Sequence, residues 1–369
     1  SVLFMTAETF NTLFSAGGSL DLIPLILAFL TGIVGASYSG QAAFIFTGFT
    51  GLASLGVMAA GSGAAQSVAF GFWWHPAMAF FASVVAVAYA GKRGYVANGK
   101  AIDLPLISLK KPDVLLVGGV SALVGYFVMQ LLTSPTFLGI KADGGAITIF
   151  VLSLVAKLWI DNGHLMGKVP DEIKAQGGRF GSNHDSCWLP WQHKAWEKFI
   201  LGLAWGGVAV AATCLMAFSG FETFAIIPGG DAVNWTPAFI TFFISASSLI
   251  LIQTAGQQQP VTHHITLPAG YAVVAVIFAG VTDPVTVLLW GLAIGVFGAF
   301  AADFLADIFH VYGHIHIDPP AMAICISSLI VMYLLVQPAI ASSIIIPIIV
   351  LVLGLIYAFA DGTKKVAAA

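Results

Sequence analysis

Apolar runs dominate the chain, interrupted by short clusters of charged residues, Gly and Pro. They fall at residues 22–37, 41–60, 74–91, 113–133 and 145–160. After a polar stretch they resume at 198–217, 236–254, 266–281, 285–306, 319–336 and 339–360. A run of roughly 15 to 23 residues, rising about 1.5 Å per residue as helix, nearly matches a hydrocarbon core of roughly 30 Å. Ten-residue segments of alternating polarity, the mark of a membrane barrel, are not found. The pattern predicts an all-α fold: a polytopic membrane protein of about 11 transmembrane helices.

Composition strengthens that picture. With 59% hydrophobic and 8% charged residues, the chain cannot cover itself with a water-facing surface of ordinary polarity. The expected surroundings are a lipid bilayer, in a bacterial inner membrane, and the expected form is a homo-oligomer; no nucleic-acid partner is expected. Cys187, Cys214 and Cys325 have neither paired nor metal-type spacing and read as apolar filler. The first run follows Glu8 and Asp21 rather than lysines, unlike a cleavable signal peptide.

Charge sets an orientation. Lys92, Arg93, Lys100, Lys110 and Lys111 lie between the third and fourth runs. Lys157, Lys168, Lys174, Arg179, Lys194 and Lys198 lie in or beside the polar stretch, and Lys364 and Lys365 lie near the last residues. Basic residues are retained on the cytoplasmic side. An outside amino terminus and a cytoplasmic carboxyl terminus place all of the 14 Lys and Arg except Lys141 inside. Residues 161–197 carry Trp188, Trp191 and Trp196 among charges and read as an interfacial linker or, less simply, a partner-docking loop.

Self-similarity divides the chain. Residues 113–125 align with 286–298, sharing Val-Leu-Leu and placing Gly118 and Gly125 on Gly291 and Gly298. Residues 142–155 align with 317–330, matching Asp143 to Asp318, and residues 74–90 align with 263–279, matching His75 to His264. Five spans per copy is an odd number, so the second copy enters the membrane inverted. The expected organisation is a first five-helix repeat at 1–160, a linker at 161–197, an inverted second repeat at 198–336, and an eleventh helix with a cytoplasmic tail at 337–369. Inverted repeats of this kind place a solute site at their interface near the midplane.

The polar residues supply candidates for that site. Asp318-Pro-Pro and Asp143-Gly-Gly read as helix starts, Asp capping free N–H groups and Pro occupying the first turn at no cost. Spans five and ten are short, so these starts are expected below the membrane surface, facing protein or water. Asp303, Asp307, His310 and His314 recur at helical spacing on one face if span nine extends that far. They suit proton transfer or cation coordination, with solvated loop residues as the alternative. His263, His264 and Thr266 follow Gln257, Gln258 and Gln259 as a polar vestibule. His314, His316 and Asp318 offer a candidate metal set, without a specific motif. Walker, HExxH and GxSxG motifs are missing, so neither enzymatic activity nor primary pumping is expected, and cofactors are left open.

Residues 42–51, the Ala-Gly-Lys-Arg-Gly of 90–94 with Ala88 and Tyr89, Val117-Gly-Gly, His263-His-Ile-Thr and His316-Ile-Asp-Pro-Pro-Ala resemble an uncharacterised bacterial integral-membrane family of unknown function. The likeness spans most of the chain and names no substrate. Ammonium channels are similar only in plan, with eleven spans and five-plus-five inverted repeats, and lend no residues.

The sequence thus predicts a transporter or channel for a small polar solute or ion. Its pathway is formed by His75, Asp143, His263, His264, Thr266, Asp303, Asp307, His316 and Asp318. A divalent-metal permease using His314, His316 and Asp318 is one alternative; a non-transporting membrane subunit or scaffold is the other.

Overall fold

The computed structural model describes residues 20–61, 69–181 and 184–366, the last few of them by backbone alone. Among the described residues the chain is helical, with no strand. Every predicted apolar run contains a helix. The first half holds α1 (Leu22–Tyr38), α2 (Gly40–Ala59), α3 (Ala79–Lys92), α4 (Pro112–Thr133) and α5 (Gly144–Ile160). The second holds α6 (Ala195–Ala217), α7 (Thr236–Ala255), α8 (His263–Phe278), α9 (Pro284–Phe309) and α10 (Pro319–Leu335, whose last turn is π-helical). α11 (Ile345–Val366) follows. Of these, α2, α4, α6, α7 and α9 are long and apolar enough to cross a membrane, and the other six are shorter apolar helices.

Two helices begin where local chemistry, not hydropathy, dictates. The run predicted from residue 74 becomes helical only at Ala79, because Pro76 disfavours a helical residue before it and the His75 ring accepts the Ala77 N–H at 3.1 Å. The run predicted from 266 starts earlier, at His263, with Thr262 held by a 2.7 Å bond between its hydroxyl and that of Ser245.

The two halves pack alike. In the first, α1, α3 and α4 contact one another; in the second, α6, α8 and α9 do the same. The halves meet where α2 packs on α7 and α5 packs on α10. α3 and α8 form the centre: residues 79–88 and 263–277 are buried on every side, as expected of helices that are apolar all round. Close approach rests on glycine. A Cβ at Gly118 would strike Ala36 of α1, and one at Gly291 would strike Val210 of α6; at Gly125 and Gly298 it would strike the Ala77 and His264 carbonyls. Small residues let helix backbones approach in this way.

The connections between helices interlock at one end of the bundle. Gln41 N–H donates to the Ile102 carbonyl at 2.8 Å, Gln253 to that of Asp103 at 3.0 Å, and Arg179 to that of Asp307 at 2.7 Å. Lys92 reaches the Trp159 carbonyl at 2.9 Å and Lys100 that of Val311 at 3.0 Å. We call this the basic end. At the other end, Lys141 N–H donates to the Tyr333 hydroxyl at 3.2 Å and Gly229 N–H to the Phe278 carbonyl at 2.8 Å.

Candidate functional site

Two helix starts from different halves converge on one cavity. Asp143 caps α5 by accepting the Ala146 N–H at 2.7 Å, and Asp318 caps α10 by accepting that of Ala321 at 2.8 Å. The chain reaches Asp143 from the far end of the bundle and Asp318 from the basic end. The Asp143 N–H donates to Ser328 Oγ of α10 at 2.9 Å, tying the two short helices together. Both carboxylates line a cavity of about 460 Å³ between the halves. Their turns differ: Gly144 and Gly145 supply N–H groups, whereas Pro319 and Pro320 supply none. Of the two positive helix ends, that of α5 therefore offers the more hydrogen-bond donors.

Each capping carboxylate has one further partner. Tyr271, buried in the middle of α8, donates its hydroxyl to Asp143 Oδ2 at 2.6 Å. His316 Nε2 lies 3.1 Å from Asp318 Oδ1, and its ring meets that of His310 edge to face at 4.6 Å between centroids. His310 Nδ1 in turn accepts the Ile317 N–H at 3.2 Å, which leaves Nε2 for a proton. A chain of titratable groups therefore runs from Asp318 towards the basic end, and the His75 ring lies beside Gly145 in the first turn that Asp143 caps.

Of the sequence-predicted pathway residues, His75, Asp143, His263, His316 and Asp318 line this cavity together. His263 is 5% exposed and its Nδ1 has no hydrogen-bond partner. The repeat alignment pairs His75 with His264, yet His263 faces the cavity; the His264 ring packs on Trp188 at 5.5 Å with neither nitrogen bonded. Thr266 is fully buried one turn further along α8, outside the wall.

The predicted stripe on α9 is divided rather than shared. Asp303 is buried against Lys198 Nζ at 2.5 Å and His193 Nδ1 at 3.0 Å, and with Asp307 it lines a separate cavity of about 610 Å³. α9 ends at Phe309, so His310 and His314 leave the helical face on which the spacing placed them. The predicted metal set is likewise broken. The His314 side chain is 85% exposed and its Nδ1 lies 2.8 Å from Asp161, whereas His316 and Asp318 point into the cavity. Among the described residues, no three His, Cys, Asp or Glu side chains come together to hold a metal ion.

Outside the apolar helices, His193 and Asp161 have pKa values shifted by their partners. Burial alone would lower the His193 pKa, but the bonds to Asp303 and Cys187 outweigh it and push it up to about 10. Burial acts to raise the Asp161 pKa, and the contacts from Lys157 and His314 override it and hold the carboxyl below its usual range.

The sequence singled out neither Tyr271 nor the aromatic wall. Phe44 contacts Phe80, Phe242 and His263, with ring centroids 6.1, 5.6 and 4.8 Å away, and Phe70 contacts His75 at 5.8 Å. A phenol in the middle of an otherwise apolar, fully buried helix was the one available signal, because buried tyrosine hydroxyls seek a partner. Within the linker, two of the three tryptophans turn inward. Trp188 and Trp191 line the cavity at the basic end. Trp191 Nε1 donates to the Gln259 carbonyl at 3.0 Å, and the Gln192 amide bonds both ways with the Val261 backbone, at 2.8 and 3.0 Å.

Residues 15–349 match the family described as "Family of unknown function (DUF7973)". The chain belongs to that family. No curated protein and no solved structure matches it.

Proposed function

We propose that this family member is a multi-pass membrane transporter or channel for a small polar solute or ion, with its site in the cavity between the two halves. The carrying observation is that Asp143 and Asp318, helix caps reached from opposite ends of the chain's fold, line one cavity with His75, His263 and His316. At 17 residues, α5 measures about 25 Å, so it cannot cross a core of roughly 30 Å from surface to surface. A recessed helix start of this kind belongs beside a solute pathway.

In this reading the chain crosses at all eleven apolar segments, the short helices being completed by the residues that lead into them, the five-helix halves are inverted copies, and α11 is an addition. The matching packing of α1, α3 and α4 with α6, α8 and α9, and the contacts of α2 with α7 and α5 with α10, support it: a two-fold axis requires self-equivalent pairs at the interface. The basic end is cytoplasmic, which leaves the amino terminus outside. The aspartates bind a cation or proton and hold the helix starts. His75 and His263 contact solute, and His316 and His310 relay protons between Asp318 and the cytoplasmic end. The scaffold alternative has less support, since two tryptophans of its docking loop, Trp188 and Trp191, are folded against the chain's own cavity.

Flux through reconstituted proteoliposomes tests the proposal. Asp143→Asn and Asp318→Asn keep a capping side chain while removing the charge, and each is expected to lower flux by about tenfold or more, the effect of roughly 1.4 kcal/mol. Unchanged flux in both variants across a broad panel of solutes would sink the assignment.

A further inference from the structure

We propose that the solute is a small organic cation, an alkylammonium held by two carboxylates inside an aromatic cage; this rests on the transport reading above. Sign comes first. Asp143 and Asp318 are the two acidic side chains on the described wall, and no Lys or Arg lines it. An anion entering this cavity would meet both carboxylates with no basic partner to offset them, in surroundings where unpaired charge is costly.

The chemistry of the wall then narrows the cation. A bare inorganic ion such as Ca²⁺ takes about six to eight oxygen ligands. Here the two carboxylates supply far fewer oxygens than such an ion needs, and most of the remaining wall is apolar. Phe44, Phe70, Phe80, Phe242, Trp188 and Trp191 line the same cavity as the two aspartates. The phenylalanine rings are in contact, Phe44 with Phe80 at 6.1 Å and Phe70 with Phe242 at 6.4 Å, and Phe80 meets His316 at 6.2 Å. Aromatic rings attract ammonium groups through their quadrupole and accept the attached methylenes, which no hydrated metal ion can exploit.

A third observation concerns a polar side chain. His263 sits on the cavity wall in ring contact with both Phe44 and Phe242, while its Nδ1 is buried and unpartnered. The accessible part of its imidazole adds a polar group to a wall that otherwise holds the two carboxylates and the rings. The cavity of about 460 Å³ has the size of sites for small ligands.

Binding to purified, detergent-solubilised full chain tests the class without needing a gradient. Titration calorimetry and thermal shift are run with butylammonium, tetramethylammonium, glycerol, acetate and Ca²⁺. Saturable binding of the ammonium ions alone is expected, with affinity lowered about tenfold in Asp318→Asn and in Phe242→Leu, the loss of one cation–π or charge contact. Phe242→Leu leaves both caps in place, so it reports on the cage even if the aspartate variant folds poorly. Glycerol, acetate or Ca²⁺ binding as tightly as the ammonium ions, or no ammonium binding at all, would overturn the inference. A neutral solute whose flux still depends on Asp318 would do the same while leaving the transport reading intact. Ammonium binding without flux of any solute would overturn only the latter.

Discussion

Tyr271 Oη donates to Asp143 Oδ2 at 2.6 Å, joining the middle of α8 in the second half to the cap of α5 in the first. The bond is made in the protein interior, with Tyr271 2% exposed. Tyr271→Phe keeps the ring and removes the donor, leaving Asp143 Oδ2 without its side-chain partner. We expect a loss of about 1–3 kcal/mol, the cost of an unmet buried hydrogen bond to a carboxyl, read as a lower denaturation midpoint in detergent. Stability equal to that of the parent would show that the bond does not hold the halves together.

The α4 and α9 glycines make matched predictions. Gly125→Ala drives a methyl into the Ala77 carbonyl, and Gly298→Ala drives one into that of His264. Neither neighbour is a side chain that can swing aside. Each substitution should cost on the order of 1–3 kcal/mol through overpacking, seen as a reduced monodisperse fraction and midpoint. By contrast, Gly56→Ala, with open space around its Cβ position, should be tolerated.

The His193–Asp303 pair predicts a pH profile. With a folded pKa of about 10 against an ordinary value of 6.5, His193 binds its proton more tightly in the folded chain. Its contribution is therefore complete below about pH 6.5 and is lost as pH rises through about 10. Thermal midpoints of the parent and His193→Gln should differ most at pH 6 and converge towards pH 10. A gap that stays constant over that range would exclude the charged pair.

At the end of α5, Lys157 is fully buried and its Nζ lies 2.5 Å from Asp161, which also accepts from the His314 backbone at 3.1 Å. Asp161→Asn leaves the ammonium buried and unpaired, and should cost roughly 3–5 kcal/mol. Adding Lys157→Met should recover much of the loss. Because the Asp161 carboxyl is held below its usual range, its contribution is present above about pH 4, its unfolded range, and disappears as pH falls through the folded value. Melting curves of the single and double variants from pH 3 to 7 decide the matter: failure of the second substitution to rescue would refute the pairing argument.

Gln192 fastens the tryptophan linker over the cavity. Gln192→Ala removes both bonds to Val261, and hydrogen exchange at residues 188–193 and 259–262 should rise by about tenfold or more, as loss of roughly 1.4 kcal/mol of local stability implies. Exchange unchanged at these amides would mean that Trp191 and its neighbours hold the linker without the glutamine.

The sequence by itself determined the helices and their caps. Apolar runs set where the helices lie, and Asp143-Gly-Gly and Asp318-Pro-Pro announced the starts of α5 and α10, because capping is a local interaction between a side chain and N–H groups three residues away. Only the tertiary structure decided which polar groups meet. Helices such as α8 are apolar on every side, so their pattern names no inward face, and His263 rather than His264 reaches the cavity through the packing of α8 on its neighbours. Asp303 and Asp307 followed the predicted face, but Asp303 met His193 and Lys198 from a distant segment, and the end of α9 at Phe309 separated His314 from both aspartates. Long-range pairing depends on which backbones can approach closely, and that is set by small residues in three dimensions rather than by spacing along one helix.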